Sequence, residues 1–474
     1  MGKPAGFMEY ERKNAPYRAV KERIRDYKAV EKALSIAEIK RQAARCIDCG
    51  VPFCHSMGCP LYNLIPELND LVYRGRWVEA LERLQECNPL PEITGRICPA
   101  PCEAACTLSI NDSPVAIRHI ELAIIEYGFA KGFVKVLKPA AETGKKVAVI
   151  GSGPAGLAAA WSLRKKGNQV TVYDKSDKPG GILRYGIPDF KLEKWVIDRR
   201  LDIMVKSGIK FETGVQAGVD ISAKELKKYF NAVLITTGAG EPRDIDAPGR
   251  QLKGIYFAMD YLSGSNKFVS GGKLADKIIQ AKNKSVLVVG GGDTGSDCIG
   301  TARRQGAKNI YQYEIMPAPV SWNKSWNPEW PEWPAILRES SSQQEGAERQ
   351  WSVLIKSFKG SAGKVRSAEC VRVKWNPGSG GKMSMTEIPG SEFSVKIDMI
   401  IIAAGFVHTR HSGLLKDMGV KFDERGNIKV TDDYSTSVKG VFASGDASTG
   451  ASLAVRAIFH GQRAAAAVDI FLRK

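Results

Sequence analysis

Eight of the ten cysteines fall between Cys46 and Cys106, and their spacing makes them the first candidates for chemistry. In ARCIDCGVPFCHSMGCP, Cys46, Cys49, Cys54 and Cys59 are separated by two, four and four residues; in ICPAPCEAAC, Cys98, Cys102 and Cys106 are each separated by three. Thiolates are soft ligands suited to iron and sulfide, and two groups of them point to two clusters. Zinc is the alternative, but two four-cysteine zinc sites would show paired knuckles of two-residue spacing, which only Cys46 and Cys49 have. Two four-iron clusters take eight protein ligands and the two groups supply seven, so Cys87, His55 and Glu121 all stand as candidates for the last. Cys298 and Cys370 are isolated, which argues against a paired redox disulfide of the flavin disulfide reductase kind.

A second chemistry is written in glycine. VAVIGSGPAGLAAA, Val147 to Ala160, joins an apolar run to an Ala-rich segment through Gly151, Gly153 and Gly156. This predicts a buried strand, a tight turn and a helix whose N-terminus faces a pyrophosphate, with Gly153 allowing close approach and Gly156 close packing. The next strand, Val170 to Tyr173, ends on Asp174, where a carboxylate can accept hydrogen bonds from a ribose. The pattern recurs at SVLVVGGGDTGSDC, with Gly290, Gly292 and Gly295, a strand at Asn309 to Tyr313, and Glu314 at its end. No Arg follows Glu314 closely, and Arg303 and Arg304 read as exposed helix-end residues, so NADH is expected over NADPH. KPGGILRYGIP, Lys178 to Pro188, reads as a loop lying close to a ligand, and Gly445 and Asp446 open a long C-terminal helix after a strand at Gly440 to Ala443.

The elements that must position these residues follow from the same periodicities. Residues 18–45 read as an amphipathic helical arm; a helical stretch separates the two cysteine groups; and AETGKK marks the boundary of the first nucleotide unit. Residues 317–351, with Trp322, Trp326, Trp330, Trp333 and Trp351 among prolines, should form a long connection pinned by aromatics on the protein's own surface or a partner. The net charge is +18, and residues 1–45 hold twelve Lys and Arg against six Asp and Glu; a solvated face is the simpler reading of that surplus. No apolar run reaches the ~18 residues that span a bilayer, and no signal core opens the chain, so a cytoplasmic protein is expected.

With these motifs placed, the chain resembles the small (beta) subunits of bacterial-type glutamate synthases over its whole length, through GKPAGFMEYERK, ARCIDCGVPFCH, NDLVYRGRW, GRICPAPCEAAC, GGILRYGIPDFKLEK and GVFASGDASTGASL. The resemblance implies an α/β fold with an N-terminal α-helical iron-sulfur domain (1–143), a discontinuous Rossmann-like FAD domain (144–245 and 406–474) and an NAD(P)H domain (246–405). It places FAD on Gly151, Ser152, Gly153, Pro154, Ala155, Gly156, Asp174, Gly181, Leu183, Gly445, Asp446, Ala451, Ser452 and Leu453, and NAD(P)H on Gly290, Gly292, Asp293, Thr294, Gly295 and Glu314. It assigns one 4Fe-4S cluster to Cys46, Cys49, Cys54 and Cys106 and a second to Cys59, Cys98 and Cys102 with a non-cysteine ligand, raising Glu121 above Cys87. Asp174 stands where such flavoproteins more often have Glu, and Glu314 with the Trp-rich segment resembles the NADH-using branch.

The implied activity is electron input: NAD(P)H reduces FAD, and single electrons pass through the clusters to an FMN-containing large subunit that makes glutamate from glutamine and 2-oxoglutarate. With no N-terminal nucleophilic cysteine, the chain alone is expected to form no glutamate. Related modules serve pyrimidine reductases or ferredoxin, and a zinc-stabilised, basic nucleic-acid-binding protein is the alternative from another class; neither a nucleic-acid nor a membrane partner is expected.

Overall fold

A computed structural model describes residues 2–271, 278–319, 328–377 and 383–474. The first five-stranded sheet has the order β14-β4-β1-β2-β3 and is parallel throughout. Its strands are β1 (Lys146–Ile150), β2 (Gln169–Asp174), β3 (Lys210–Thr213), β4 (Ala232–Ile235) and β14 (Val441–Ala443). Apolar runs form β1, β4 and β14 because both faces are covered there, while the edge strand β3 is partly exposed. Val147, Val149 and Leu234 face the core built with helices Pro154–Lys165 and Ala454–Arg473, whereas Ala148, Ile150, Val233 and Ile235 face the core on the other side. The arrival of β14 from the end of the chain makes this unit discontinuous, as the sequence led one to expect.

The chain leaves that unit to build a second parallel sheet, β5-β13-β6-β7-β8, from β5 (Ile255–Phe257), β6 (Ser285–Val289), β7 (Asn309–Tyr313), β8 (Glu348–Gln350) and β13 (Met399–Ile402). Helices Ala258–Val269 and Asp293–Arg304 cover one face. The other is covered by an antiparallel layer, β9 (Val353–Ser361), β10 (Lys364–Pro377), β11 (Met383–Glu387) and β12 (Phe393–Lys396), through Val353, Ile355, Phe358, Val365 and Ala368. The sequence reading did not find this layer: its strands alternate apolar with Lys, Arg, Ser and Glu, a weaker pattern than a fully buried run.

The N-terminal unit is helical, with helices Ile36–Ala44, Ile65–Tyr73, Trp77–Cys87, Pro91–Ile97 and Ile117–Ala130. It shares one continuous apolar core with the first sheet. Glu92 accepts two hydrogen bonds from Arg200, at 2.6 and 2.9 Å, with both side chains buried, and Glu126 pairs with Arg199.

Residues 18–45 are not one helical arm. A single turn, Val20–Arg23, and the helix Ile36–Ala44 flank an extended strap that pairs Tyr17 with Glu31 and donates Val30 N–H to Phe190 O. Tertiary contact overrides the helical spacing there. Arg23 is buried against Glu345, which also pairs with Arg304, and Arg304 Nε donates to Asp26 O. Arg304 is thus not the exposed helix-end residue expected, and Arg303 donates to Gly346 O. Among the described residues, no helix is long and apolar enough to cross a membrane.

Candidate functional site

The helix Pro154–Lys165 starts directly after β1, so its free N–H groups face the mouth of the sheet. Two glycines there do different work. A Cβ on Gly156 would lie 1.9 Å from Gly151 O, so helix and strand can pack this closely only with glycine. A Cβ on Gly153 would meet nothing within 4 Å, because that position opens on a cavity of about 1510 Å³. The space exceeds the ~300–1,000 Å³ of an ordinary small-molecule pocket and suits a pair of extended dinucleotides.

Gly151, Ser152, Gly153, Pro154, Ala155, Asp174, Gly181, Asp446, Ser452 and Leu453 line the cavity. Asp174 closes the loop, accepting from Ser152 N–H at 2.9 Å and Ser176 N–H at 2.8 Å. Asp446 begins a helical turn and accepts from Ser452 Oγ at 3.2 Å; burial pushes its carboxyl up to about 6. Gly156 and Gly445 stand behind the wall, where a Cβ on Gly445 would meet Ala155 Cβ at 2.7 Å. The loop turns helical over Ile182–Tyr185, so that the Leu183 side chain is fully buried in the core while Ile182, Tyr185 and Gly186 line the cavity. Ala451 is exposed and off the wall.

The second glycine loop leads into the helix Asp293–Arg304, whose first residues Asp293 and Thr294 reach the same cavity. Gly290, Gly292, Gly295 and Glu314 lie behind that edge; Glu314 accepts from the N–H of Gly291 and, at 3.0 Å, of Met316. From the first unit, Lys191 crosses to Asp297 on this helix at 2.5 Å. Burial pushes Asp297 up to about 6, while for Lys191 the neighbouring Asp297 and Asp293 outweigh burial and raise it. Lys191, Thr236, Thr237 and Arg410 also line the cavity and escaped the sequence reading. They lie outside the glycine motifs, although FKLEK carried Lys191 in plain view.

The cysteines gather as two sets. Burial raises Cys46 to about 11, with Cys106 and Cys49 adding to the effect; Cys54 is raised by burial and by Cys106, Cys46 and Cys49. Cys49 Sγ lies 3.3 Å from Thr107 Oγ1, beside Cys106. In the other set, Cys59 is raised to about 12 by burial and then by Glu121 and Cys98, and Cys102 by burial, Cys59, Glu121 and Cys98. Glu121 accepts from Asn63 Nδ2 at 2.8 Å, and burial pushes it up to about 7. Cys87 is raised by burial, then by Glu86 and Glu121, and His55 engages Asn63 O at 2.9 Å.

Among the described residues, no three His, Cys, Asp or Glu side chains are gathered tightly enough to hold a single metal ion. A four-iron cluster takes its four ligands from around a larger body, and the soft, buried thiols of each set suit it. Cys98 also lines the large cavity, so one of the two sets touches the dinucleotide space. Of the tryptophans, Trp330 packs on Phe53 with ring centroids 4.6 Å apart, and the side chains of Arg338 and Arg349 lie over Trp333 and Trp351. Trp322 and Trp326 lie outside the described residues.

Residues 145–461 match the pyridine nucleotide-disulphide oxidoreductase family, and residues 23–133 match the dihydropyrimidine dehydrogenase domain II, 4Fe-4S cluster family. The fold resembles that of FprA from Mycobacterium tuberculosis at a TM-score of 0.56 and 15% identity, over 70% of this chain and 85% of that one. The glutamate synthase [NADPH] small chain of M. tuberculosis is 47% identical over 100% of this chain and 96% of its own. The glutamate synthase [NADH] of Schizosaccharomyces pombe is 43% identical over 99% of this chain, which spans 23% of that longer protein. Two glycine-motif helices that reach one cavity, two sets of thiols of which one touches it, and full-length identity at this level place the chain in the family of glutamate synthase small chains, FAD- and iron-sulfur-dependent NAD(P)H oxidoreductases.

Proposed function

We propose that this chain is the electron-input subunit of a cytoplasmic glutamate synthase, taking electrons from NADH in preference to NADPH and delivering them through two 4Fe-4S clusters to an FMN-containing large subunit. The observation that carries the reading is the single cavity walled by the first glycine loop, by Asp293 and Thr294 of the second, and by Cys98. When bound, FAD accepts hydride from the nicotinamide, and the clusters carry single electrons onward.

The residues of the chain bind, orient and shield. The N–H groups at the start of Pro154–Lys165 would receive one pyrophosphate and those at the start of Asp293–Arg304 the other. Asp174 and Glu314 serve as ribose acceptors. Glu314 would repel a 2′-phosphate, and Arg304, at the far end of the helix that Asp293 begins, is engaged with Glu345, which supports NADH. Asp446 and Ser452 hold the end of the cavity that leads into the C-terminal helix, and Lys191 supplies a cation between the two nucleotide units. Cys46, Cys49, Cys54 and Cys106 would hold one cluster, and Cys59, Cys98, Cys102 and Glu121 the other. Ligation would require these thiols to give up the protons that burial otherwise retains. The corresponding division into domains is 1–143, 144–245 with 406–474, and 246–405.

The test is anaerobic purification followed by flavin, iron and zinc analysis, then addition of NADH or NADPH. Bleaching of the flavin and cluster absorption, with a higher kcat/KM for NADH, is the expected result. Glutamate should form from glutamine and 2-oxoglutarate only when a large subunit is added. Glutamate made by the chain alone, or zinc in place of iron with no flavin, would overturn the proposal.

A further inference from the structure

Trp330 belongs to the connection that follows β7 in the second nucleotide unit, yet its side chain reaches the N-terminal unit. Its indole ring packs on Phe53, with centroids 4.6 Å apart and planes inclined by 58°, and its Nε1–H donates to Cys106 O at 3.3 Å. Phe53 immediately precedes Cys54, so one side chain touches both segments that supply the Cys46, Cys49, Cys54 and Cys106 set. Cys106 O is held at the same time by Ser109 N–H at 2.8 Å and Ser109 Oγ at 2.7 Å, which fixes the carbonyl that the indole meets.

This set has an opening of its own. Cys49 is only partly buried, and Ile47 and Val51 beside it are exposed. In the other set Cys59 and Cys102 are buried, and Cys98, also partly buried, opens on the large cavity rather than on the outer surface beside Phe53 and Trp330. We infer that Trp330 is a positioning residue for the outer cluster: a cap supplied by the nucleotide unit that clips the two ligand-bearing segments together and keeps water and oxygen from the metal. The inference rests on the ligand assignment proposed above. Its physical consequence is directional. A reduced cluster carries one more negative charge than an oxidised one, and water stabilises that charge, so opening the cap raises the midpoint potential of the covered cluster alone.

The experiment compares wild type, Trp330→Phe, Trp330→Ala and a control, Trp333→Ala, in the full-length chain purified without oxygen. Iron and flavin content, the EPR-monitored potential of each cluster, and the half-life of cluster absorption in air are measured. Trp330→Ala is expected to retain its iron under anaerobic conditions, to show a raised potential for one cluster, and to lose that cluster in air at least about fivefold faster. Trp330→Phe, which keeps the ring contact and lacks the N–H, should restore most of the resistance to air, and Trp333→Ala should match wild type. Should the alanine variant not accumulate as folded protein, Trp330→Leu carries the same expectation. Unchanged potentials and half-lives, or equal effects from Trp333→Ala, overturn the inference. A separate Cys49→Ser variant that keeps full iron would instead overturn the ligand assignment.

Discussion

Gly153 and Gly156 look alike in the sequence and act differently in the structure, one leaving room for a ligand and the other for the backbone of the strand. Gly156→Val therefore cannot be accommodated beside Gly151 O, and the variant should be purified with less than about a tenth of the wild-type flavin, read from absorbance after denaturation. Asp446 gives a pH prediction. Its folded-state pKa is raised to about 6 from 3.8, so the stability it contributes is fully present below about pH 4 and is lost as pH rises through 6. Flavin-free protein should lose about 2–3 kcal/mol at this site between pH 4 and pH 8. Urea titrations at the two values should show that loss in wild type and its disappearance in Asp446→Asn.

At the scale of elements, the helical unit and the first nucleotide unit meet through apolar packing and one buried ion pair, Glu92 with Arg200. Removing one partner strands a charge in a dry interface. Glu92→Leu should cost about 3–5 kcal/mol in urea unfolding, while Glu92→Leu with Arg200→Met should recover most of it, since the pair itself gains little over well-packed apolar side chains. The packing of helix Pro154–Lys165 on Ala454–Arg473 is equally close, as a Cβ on Gly461 would meet Ala155 O at 2.2 Å. The sequence showed both helices through their composition and gave no sign that they cross there.

For the molecule as a whole, the strap 18–35 ties the helical unit to the second nucleotide unit through Arg23, Glu345 and Arg304, and Lys191 with Asp297 ties the two nucleotide units together. These contacts hold the second unit over the cavity. Glu345→Gln leaves two buried guanidinium groups facing each other without their carboxylate. The variant should be cleaved by trypsin within residues 18–32 at least about tenfold faster and show a raised KM for NADH with its flavin content unchanged, by gel time course and steady-state kinetics.

The two glycine loops, their acidic strand ends and the clustering of eight cysteines between Cys46 and Cys106 were legible without coordinates, whereas the division of the thiols into sets came only with the family resemblance. Each depends on local geometry: a strand, a turn and a helix start follow one another within about a dozen residues, and soft ligands must be cysteines wherever the chain carries them. That β14 returns to complete the first sheet also followed from the fold to which those motifs belong. What the sequence left open was pairing over distance. Arg304 on Glu345, Trp330 on Phe53 and the antiparallel layer over the second sheet each join residues far apart in the chain. No period or spacing encodes such contacts; they are decided when buried charges and apolar faces find the partners that leave the least of either exposed or unpaired. The sequence by itself determined which chemistry the chain can do, and the tertiary structure decided which side chains surround it, because local geometry is set by near neighbours and burial is set by the whole.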